Sequence, residues 1–235
     1  MIPDYAFYVN PEKIIGDSFS LDKDESKHAI QVLQKKVGDK ICLLNGIGTG
    51  YHVVIDSIEN NQVFGSIKET IPELGENRVS LGLAPALIKR DRFELILEKA
   101  TELGVNDIYP LALDRCVKKT MNYDRSVKIV TAASKQCRRS RFPTLHEPLN
   151  MESFLEMRNG KILSGLMGTH KSLTQLNLVS ERPITVIIGP EGDFTKKEIE
   201  IMKEKGVIFF HLGERRLRAE TAVLNSLSIL NELIN

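Results

Sequence analysis

Apolar positions in the first 71 residues follow short β-type runs, with helical spacing only over residues 24–36. The strand-like runs lie at residues 6–9, 40–45, 51–59 and 62–71. The glycine-rich stretch 46–50 joins strand to strand with no helix after it, which favours a hairpin turn over a dinucleotide-binding loop. Several short strands with one helix are typical of a small barrel, so residues 1–71 are predicted to form a β-barrel domain.

From residue 79 the pattern alternates between strand and helix. Strand-like runs lie at residues 79–84, 108–113, 161–167, 184–188 and 207–212, and helical spacing at 92–103, 126–139 and 219–234. A further helix is predicted between a capping box at Thr195 and Glu198 and a stop at Gly206. This alternation predicts an α/β domain over residues 78–235, with a mainly parallel sheet covered by helices. The polar residues 72–77 are the predicted linker.

Composition narrows the class of protein. The 235 residues carry a formal net charge of +1, so a nucleic-acid site has to come from local clustering of charge. Three scattered cysteines without a C-x-x-C pair indicate free thiols in a reducing compartment. No apolar run approaches the roughly 20 residues of a spanning helix, and the first residues do not resemble a signal peptide. We expect a cytoplasmic protein without a membrane partner.

Several enzyme classes have no signature in this sequence. The histidines do not lie at metal-ligand spacing with other histidines, cysteines or carboxylates, so no bound metal is expected. A P-loop, a G-x-S-x-G elbow and a zinc signature are also absent. These absences argue against NTPases, hydrolases and zinc enzymes.

Two glycine-bearing loops near the C-terminus are the best candidates for a ligand site. Each follows a buried-type strand and opens a helix, and loops at the carboxyl ends of adjacent parallel strands form the ligand crevice of open α/β sheets. The first loop carries the carboxylates Glu191 and Asp193, so it is poorly suited to bind a phosphate group. Ordinary βα turns would show similar glycines, so either loop alone is weak evidence of a site.

The residues in these loops resemble one family closely. Ile188-Gly-Pro-Glu-Gly-Asp-Phe-Thr195 and Leu212-Gly-Glu-Arg-Arg-Leu-Arg-Ala-Glu-Thr-Ala222 resemble the ribosomal small-subunit methyltransferase E family, SPOUT-class enzymes that methylate N3 of a uridine in 16S rRNA. Lys89-Arg-Asp-Arg-Phe-Glu94 and Gln136-Cys-Arg-Arg139 look like further landmarks. The resemblance implies S-adenosyl-L-methionine as cofactor, 16S rRNA or the small ribosomal subunit as substrate, a homodimer, a PUA-like N-terminal domain and a C-terminal trefoil knot.

The resemblance also implies site residues. The expected cofactor-binding residues are Leu166, Met167, Gly168, Gly189, Pro190, Glu191, Gly192, Leu212, Gly213, Leu217 and Thr221. Methylation at N3 of a uridine needs a base for the proton and a cation for the resulting anion. Arg218 is the expected cation, and Glu220 either takes the proton or orients Arg218. The alternative is that Arg218 and Glu220 form a structural pair that holds the loop.

A basic segment supplies candidate RNA contacts. Nine cations are opposed locally only by Asp124, namely Arg115, Lys118, Lys119, Arg125, Lys128, Lys135, Arg138, Arg139 and Arg141. Such a face repels itself unless a polyanion neutralises it, although a solvated helix face is the usual meaning of a charge run. Together with the resemblance, this predicts RNA contacts from His28, Arg115, Lys118, Gln136, Arg138 and Arg139.

Two other functions stay open at this point. One is a different SPOUT activity, either ribose 2′-O or guanine methylation. The other is an RNA-binding module without turnover, because the chain has Gln34 where the family usually has an arginine.

Overall fold

The computed structural model describes residues 5–158, 160–178 and 183–234. The chain divides into two compact units. The first consists of Met1–Glu76 and Thr131–Phe142, and the second of Asn77–Val130 and Pro143–Asn235. Residues 131–142 count with the first unit, although the sequence pattern alone places them in the second domain.

The first unit is built on a six-stranded sheet in the order β1-β4-β5-β6-β3-β2. Its elements are β1 (Ala6–Tyr8), β2 (Ile14–Ile15), β3 (Ser18–Ser20), α1 (Lys23–Lys27), β4 (Lys40–Leu44), β5 (Thr49–Glu59) and β6 (Gln62–Pro72). All pairs are antiparallel except β1 with β4. Phe7, Ile41, Leu43 and Ile55 form its buried core. The four predicted strands and the hairpin at residues 46–50 are confirmed.

The predicted single helix over residues 24–36 is wrong in its second half. α1 passes into a π-helical turn at His28–Val32, and Gln34 adopts a φ of 51°. The amide of Lys35 donates to the carbonyl of Ala29, which closes the turn. A left-handed residue ends a helix, and the apolar spacing carries no signal of it.

The second unit contains a six-stranded, wholly parallel sheet in the order β12-β10-β11-β7-β8-β9. Its elements are β7 (Leu81–Pro85), α2 (Arg90–Glu102), β8 (Val105–Ile108), β9 (Thr144–Leu145), α4 (Met151–Met157), β10 (Lys161–Gly165), β11 (Ile184–Ile188), α5 (Lys196–Glu204), β12 (Ile208–Phe210) and α6 (Ala219–Ile234). The helix α3 (Tyr123–Cys137) begins in this unit, and its residues 131–137 count with the first. Every residue of β7 and β11 is buried, as expected for strands covered on both faces. The predicted α/β class with a parallel sheet is confirmed.

Some boundaries in this unit differ from the prediction. The strand expected at residues 108–113 lies at Val105–Ile108, directly after α2. Pro110 has no amide hydrogen for a ladder, and the apolar residues after it make only isolated bridges. β9 and α4 have no counterpart in the prediction because both are short and lie in a weakly periodic stretch.

The three cysteines are free thiols, as the sequence predicts. Burial raises the pKa of the Cys42 thiol to about 11. Within the described part of the chain, no helix is both long enough and apolar enough to traverse a lipid bilayer.

The predicted capping box at the start of α5 is confirmed. The Thr195 hydroxyl accepts from the amide of Glu198 at 3.2 Å, and the Glu198 carboxylate accepts from the amide of Thr195 at 2.7 Å. The other carboxylate oxygen accepts from the amide of Asp114 at 3.0 Å, 84 residues away in sequence. Glu198 therefore fixes the loop between β11 and α5 to the chain that follows β8.

Glu198→Ala is expected to lower the free energy of unfolding by about 2–4 kcal/mol, because two backbone amides lose their acceptor. Glu200→Ala is the matched control on the exposed side of the same helix, with an expected change within about 0.5 kcal/mol. Urea denaturation of the two variants measures the difference. Equal losses would mean that the tertiary hydrogen bond to Asp114 contributes nothing.

Candidate active site

Three neighbouring parallel strands end at the same edge of the second sheet. Register places Ser164 of β10 beside Ile187 of β11, and Gly165 beside Phe210 of β12. The loops that leave these strands enclose a crevice of about 520 Å³, with the start of α6 as a further wall. This is the position at which open α/β sheets bind ligands.

Most of the predicted cofactor residues line this crevice. They are Leu166 and Met167 after β10, Gly189, Pro190 and Glu191 after β11, and Leu212, Gly213 and Leu217 after β12. The predicted catalytic Arg218 also lies in the lining. Residues that are up to 52 positions apart in sequence are thus brought to one cavity by the strand order.

Three predicted cofactor residues lie outside the lining. Gly168 adopts a φ of 79° with open space around it, and Thr221 is exposed on α6. Gly192 packs against Arg115, whose guanidinium donates to the carbonyl of Gly192 at 2.8 Å. Gly192 therefore holds the shape of the loop through its backbone.

The glycine at position 189 is fixed by packing. A Cβ atom at this residue would meet the ring of Phe194 at 3.0 Å, and Phe194 is buried. The loop thereby presents backbone rather than side chain to the crevice, which lets a ligand approach closely.

Arg92 is a site residue that the sequence analysis did not predict. It lies in the first turn of α2, lines the crevice and forms an ion pair with Glu191. Its Nε atom is also 3.7 Å from the Glu220 carboxylate. The only signal in the sequence is its place in the stretch 89–94 that resembles the family. Nine further lining residues lie outside the predicted list, namely Gly165, Ile188, Asp193, Phe210, His211, Arg215, Arg216, Ala219 and Ala222.

Glu220 does not pair with Arg218, so both the orienting role and the structural pair expected from the sequence are wrong. Its side chain is 13% exposed and points to Arg92, and its Oε2 atom has no hydrogen-bond partner within the described residues. Arg216 donates to the carbonyl of Glu191 at 2.6 Å. Arg218 is exposed and forms no side-chain ion pair or hydrogen bond in the part of the chain that is described. Its charge is therefore free to meet a ligand.

Two family models match the chain. The model described as RNA methyltransferase domain matches residues 75–231, and that of the RNA methyltransferase PUA domain matches residues 21–68. Ribosomal RNA small subunit methyltransferase E of Rickettsia conorii is 30% identical over 226 residues, which cover 94% of this chain and 92% of that protein.

The chain belongs to the ribosomal RNA small subunit methyltransferase E family. The Synechocystis protein of the same name is 31% identical over 242 residues, which cover 98% of this chain and 78% of that protein. A putative methyltransferase from Legionella pneumophila, solved in complex with the bound cofactor SAM, has 28% identity and a TM-score of 0.85. That alignment covers 98% of both chains. The PUA-like N-terminal domain and the SPOUT-type fold class expected from the resemblance are confirmed.

In this family member, several cations of the basic segment are already neutralised by carboxylates of the same chain. Four of its cations pair with carboxylates from distant parts of the chain. Arg125 pairs with Glu94, Lys135 with Glu25, Arg139 with Glu76 and Arg141 with Glu73. Among the described residues, Lys118, Lys128 and Arg138 form no ion pair with a carboxylate.

The predicted RNA contacts differ in their exposure and in the contacts they make within the protein. Gln136 and Lys118 are exposed, and Arg138 is half-buried with a φ of 58°. His28 is half-buried, with its ring edge-on to Phe7. Arg115 donates to the carbonyls of Gly192 and Phe194, so it supports the loop after β11.

The assignment of Arg139 to the RNA-contacting face is corrected by its burial. The residue is 1% exposed, and its guanidinium donates to Glu76 at 2.7 Å inside the first unit. A side chain without exposed surface cannot contact an RNA phosphate, so Arg139 has a structural role here.

Across the described ranges, no group of three or more histidine, cysteine or carboxylate side chains is placed to hold a metal ion.

Proposed function

We propose that this protein transfers a methyl group from S-adenosyl-L-methionine to 16S rRNA of the small ribosomal subunit, and that the acceptor is N3 of a uridine. Family membership and the SAM complex of the Legionella relative support the cofactor. The observation that carries the proposal is the crevice at the ends of β10, β11 and β12, with an unpaired Arg218 in its lining.

The residues of the crevice fit this cofactor. Its volume of about 520 Å³ lies within the range of small-molecule sites. Leu166, Leu212 and Leu217 supply apolar walls for an adenine ring. Gly189 and Gly213 expose backbone hydrogen-bonding groups, which suit the ring edge and the ribose hydroxyls.

The chemistry divides between cofactor and chain. S-adenosyl-L-methionine supplies an electrophilic methyl group on a positively charged sulfur. Arg218 stabilises the negative charge on the O2 and O4 atoms of the uracil once the N3 proton has left. Glu220 is the proposed acceptor of that proton; its Oε2 atom has no partner within the described residues but is buried beside Arg92, outside the crevice lining, so the side chain has to turn towards the crevice when the RNA binds. Arg92 lines the crevice, pairs there with Glu191 and lies 3.7 Å from the Glu220 carboxylate, so it links the two carboxylates.

Mass spectrometry of 16S rRNA from a strain that lacks the gene tests the reaction. N3-methyluridine is expected to disappear and to return when the wild-type gene is supplied. An unchanged level of N3-methyluridine would contradict the proposal. Loss of a 2′-O-methylated or methylguanine nucleotide instead would establish the alternative SPOUT activity.

Calorimetry with S-adenosyl-L-methionine tests the remaining alternative, an RNA-binding module without turnover. We expect binding by the protein both alone and with RNA. A protein that binds RNA but no cofactor under either condition would be such a module.

Gly189→Val is expected to weaken cofactor binding about tenfold or more, because the new side chain enters the crevice or displaces Phe194. The close contact with the Phe194 ring adds a destabilisation of about 1–3 kcal/mol. Calorimetry measures the affinity, and thermal unfolding shows that the variant is folded at the temperature used. Wild-type affinity in the folded variant would remove Gly189 from the binding site.

The remaining expectations from the resemblance belong to the same proposal. The protein acts in the cytoplasm as a homodimer, and its C-terminal segment forms a trefoil knot. Leu95 on α2 and Leu233 on α6 are exposed on two helices that pack together, which supports an apolar surface for a second copy. Light scattering measures the mass of the particle in solution.

His28, Lys118, Gln136 and Arg138 are the proposed RNA contacts.

A further inference from the structure

The second unit contains another cavity, of about 720 Å³, and the proposed function uses only Lys118 of its lining. Its floor is apolar, with Leu87, Ile88, Phe93 and Met121. Its charged lining consists of three cations, Arg90, Lys118 and Lys119, and one carboxylate, Glu94. The ammonium of Lys119 donates to the carbonyl of Leu113. Val117, which is 94% exposed, also borders it.

This cavity and the cofactor crevice share the first turn of α2. Arg92 faces the crevice, whereas Arg90 and Phe93 line the second cavity. The chain just before the cavity is also linked to the loop after β11, because the guanidinium of Arg115 donates to the carbonyls of Gly192 and Phe194 at 2.8 and 3.2 Å. The crevice and the cavity therefore lie on two sides of the same turn of α2.

The cavity carries an excess of positive charge. The carboxylate of Glu94 meets two guanidinium groups, Arg125 at 2.6 Å and Arg90 at 2.9 Å. Hydrogen bonds from Arg125, and then from Arg90, lower the pKa of the Glu94 carboxyl to about 2, so this group is ionised at neutral pH. Its single negative charge offsets only one of the two positive guanidinium groups. Lys118 is exposed and unpaired within the described residues. An apolar floor beside uncompensated cations is complementary to an unstacked base with its phosphate.

We propose that this cavity binds a nucleotide of single-stranded RNA next to the target uridine, with its base on the apolar floor and its phosphate at Lys118 and Arg90. The inference rests on the proposed function, because the crevice defines where the target lies. It assigns the cavity to the RNA rather than to a second copy of the chain. A phosphate would neutralise Lys118, which pairs with no carboxylate of the described residues.

The test compares two charge reversals. Lys118→Glu changes the cavity, and Lys205→Glu changes an exposed lysine that borders neither cavity. Fluorescence anisotropy measures binding of a uridine-containing single-stranded RNA about ten nucleotides long, and of the same RNA with abasic sites beside the uridine. Lys118→Glu is expected to weaken binding of the intact RNA about tenfold and to reduce the salt slope by about one. Lys205→Glu is expected to bind like the wild type.

The base contact has its own readout. Abasic sites are expected to weaken binding to the wild type roughly tenfold, and this difference should vanish in Thr120→Trp, whose indole covers the cavity from its rim. Equal affinities of Lys118→Glu and Lys205→Glu would overturn the inference, as would an abasic effect that survives in Thr120→Trp. A lower particle mass in Lys118→Glu alone would show that a second copy occupies the cavity.

Calorimetry on the same preparations separates this inference from the proposed function. S-adenosyl-L-methionine is expected to bind Lys118→Glu with wild-type affinity. If the wild type does not bind this cofactor, the proposed function fails. If it binds the cofactor and the RNA variants behave alike, only the assignment of the cavity fails.

Discussion

Arg218→Ala is expected to lower the rate of methyl transfer by about 100- to 1,000-fold while leaving the affinity for S-adenosyl-L-methionine nearly unchanged. The guanidinium is exposed in the crevice lining and has no carboxylate partner in the described part of the chain. Its charge is thus available for an anion that develops only in the transition state. An interaction made only there affects the rate more than binding of the ground state.

Single-turnover methylation of small subunits from a strain lacking the gene measures this rate. Lys205→Ala is the control for loss of one exposed cation outside the crevice. Arg218→Lys keeps the charge but loses the planar fork, so an intermediate rate is expected. A rate for Arg218→Ala equal to that of the control would remove this residue from the chemistry.

Arg139→Ala is expected to lower the free energy of unfolding by about 3–5 kcal/mol, since it leaves the Glu76 carboxylate buried without its partner. Both side chains are 2% exposed, and the carboxylate also accepts from the amide of Arg141 at 2.9 Å. The ion pair joins residues 131–142 to the rest of the first unit.

Arg141→Ala is the matched control for Arg139→Ala. The ion pair of Arg141 with Glu73 lies at the surface, so its loss is expected to cost about 0–1 kcal/mol. Urea denaturation measures both variants. Equal costs would mean that Arg139 is not the buried anchor of the first unit.

Signals that lie within a few residues of one another predicted their elements well. β11 has the bounds expected from its continuous apolar run, and the capping box of Thr195 and Glu198 starts α5 where predicted. The loops after β11 and β12 were predicted from the sequence because each follows such a strand, whereas the part of the crevice after β10 was expected only from the family resemblance. Apolar periodicity and capping hydrogen bonds both depend only on residues that are close together in the sequence.

Long-range partners could not be predicted in this way. The basic segment was taken to lack opposing acids because its acids were counted locally, whereas Glu25, Glu76 and Glu94 reach it from 31 to 110 positions away. Arg92 and Glu191 are 99 positions apart, and only the fold brings them to one crevice. Glu220 lies beside Arg92 rather than beside Arg218, and this likewise depends on the packing of α2 against α6.

A crystal structure determined with saturating S-adenosyl-L-methionine tests the central claim most directly. The adenosine is expected between the loops that follow β10, β11 and β12, against Leu166, Gly189 and Leu212. The methyl group is expected to face Arg218. The claim would be contradicted if the cofactor bound elsewhere, or if the loop at residues 213–218 filled the crevice with its own side chains.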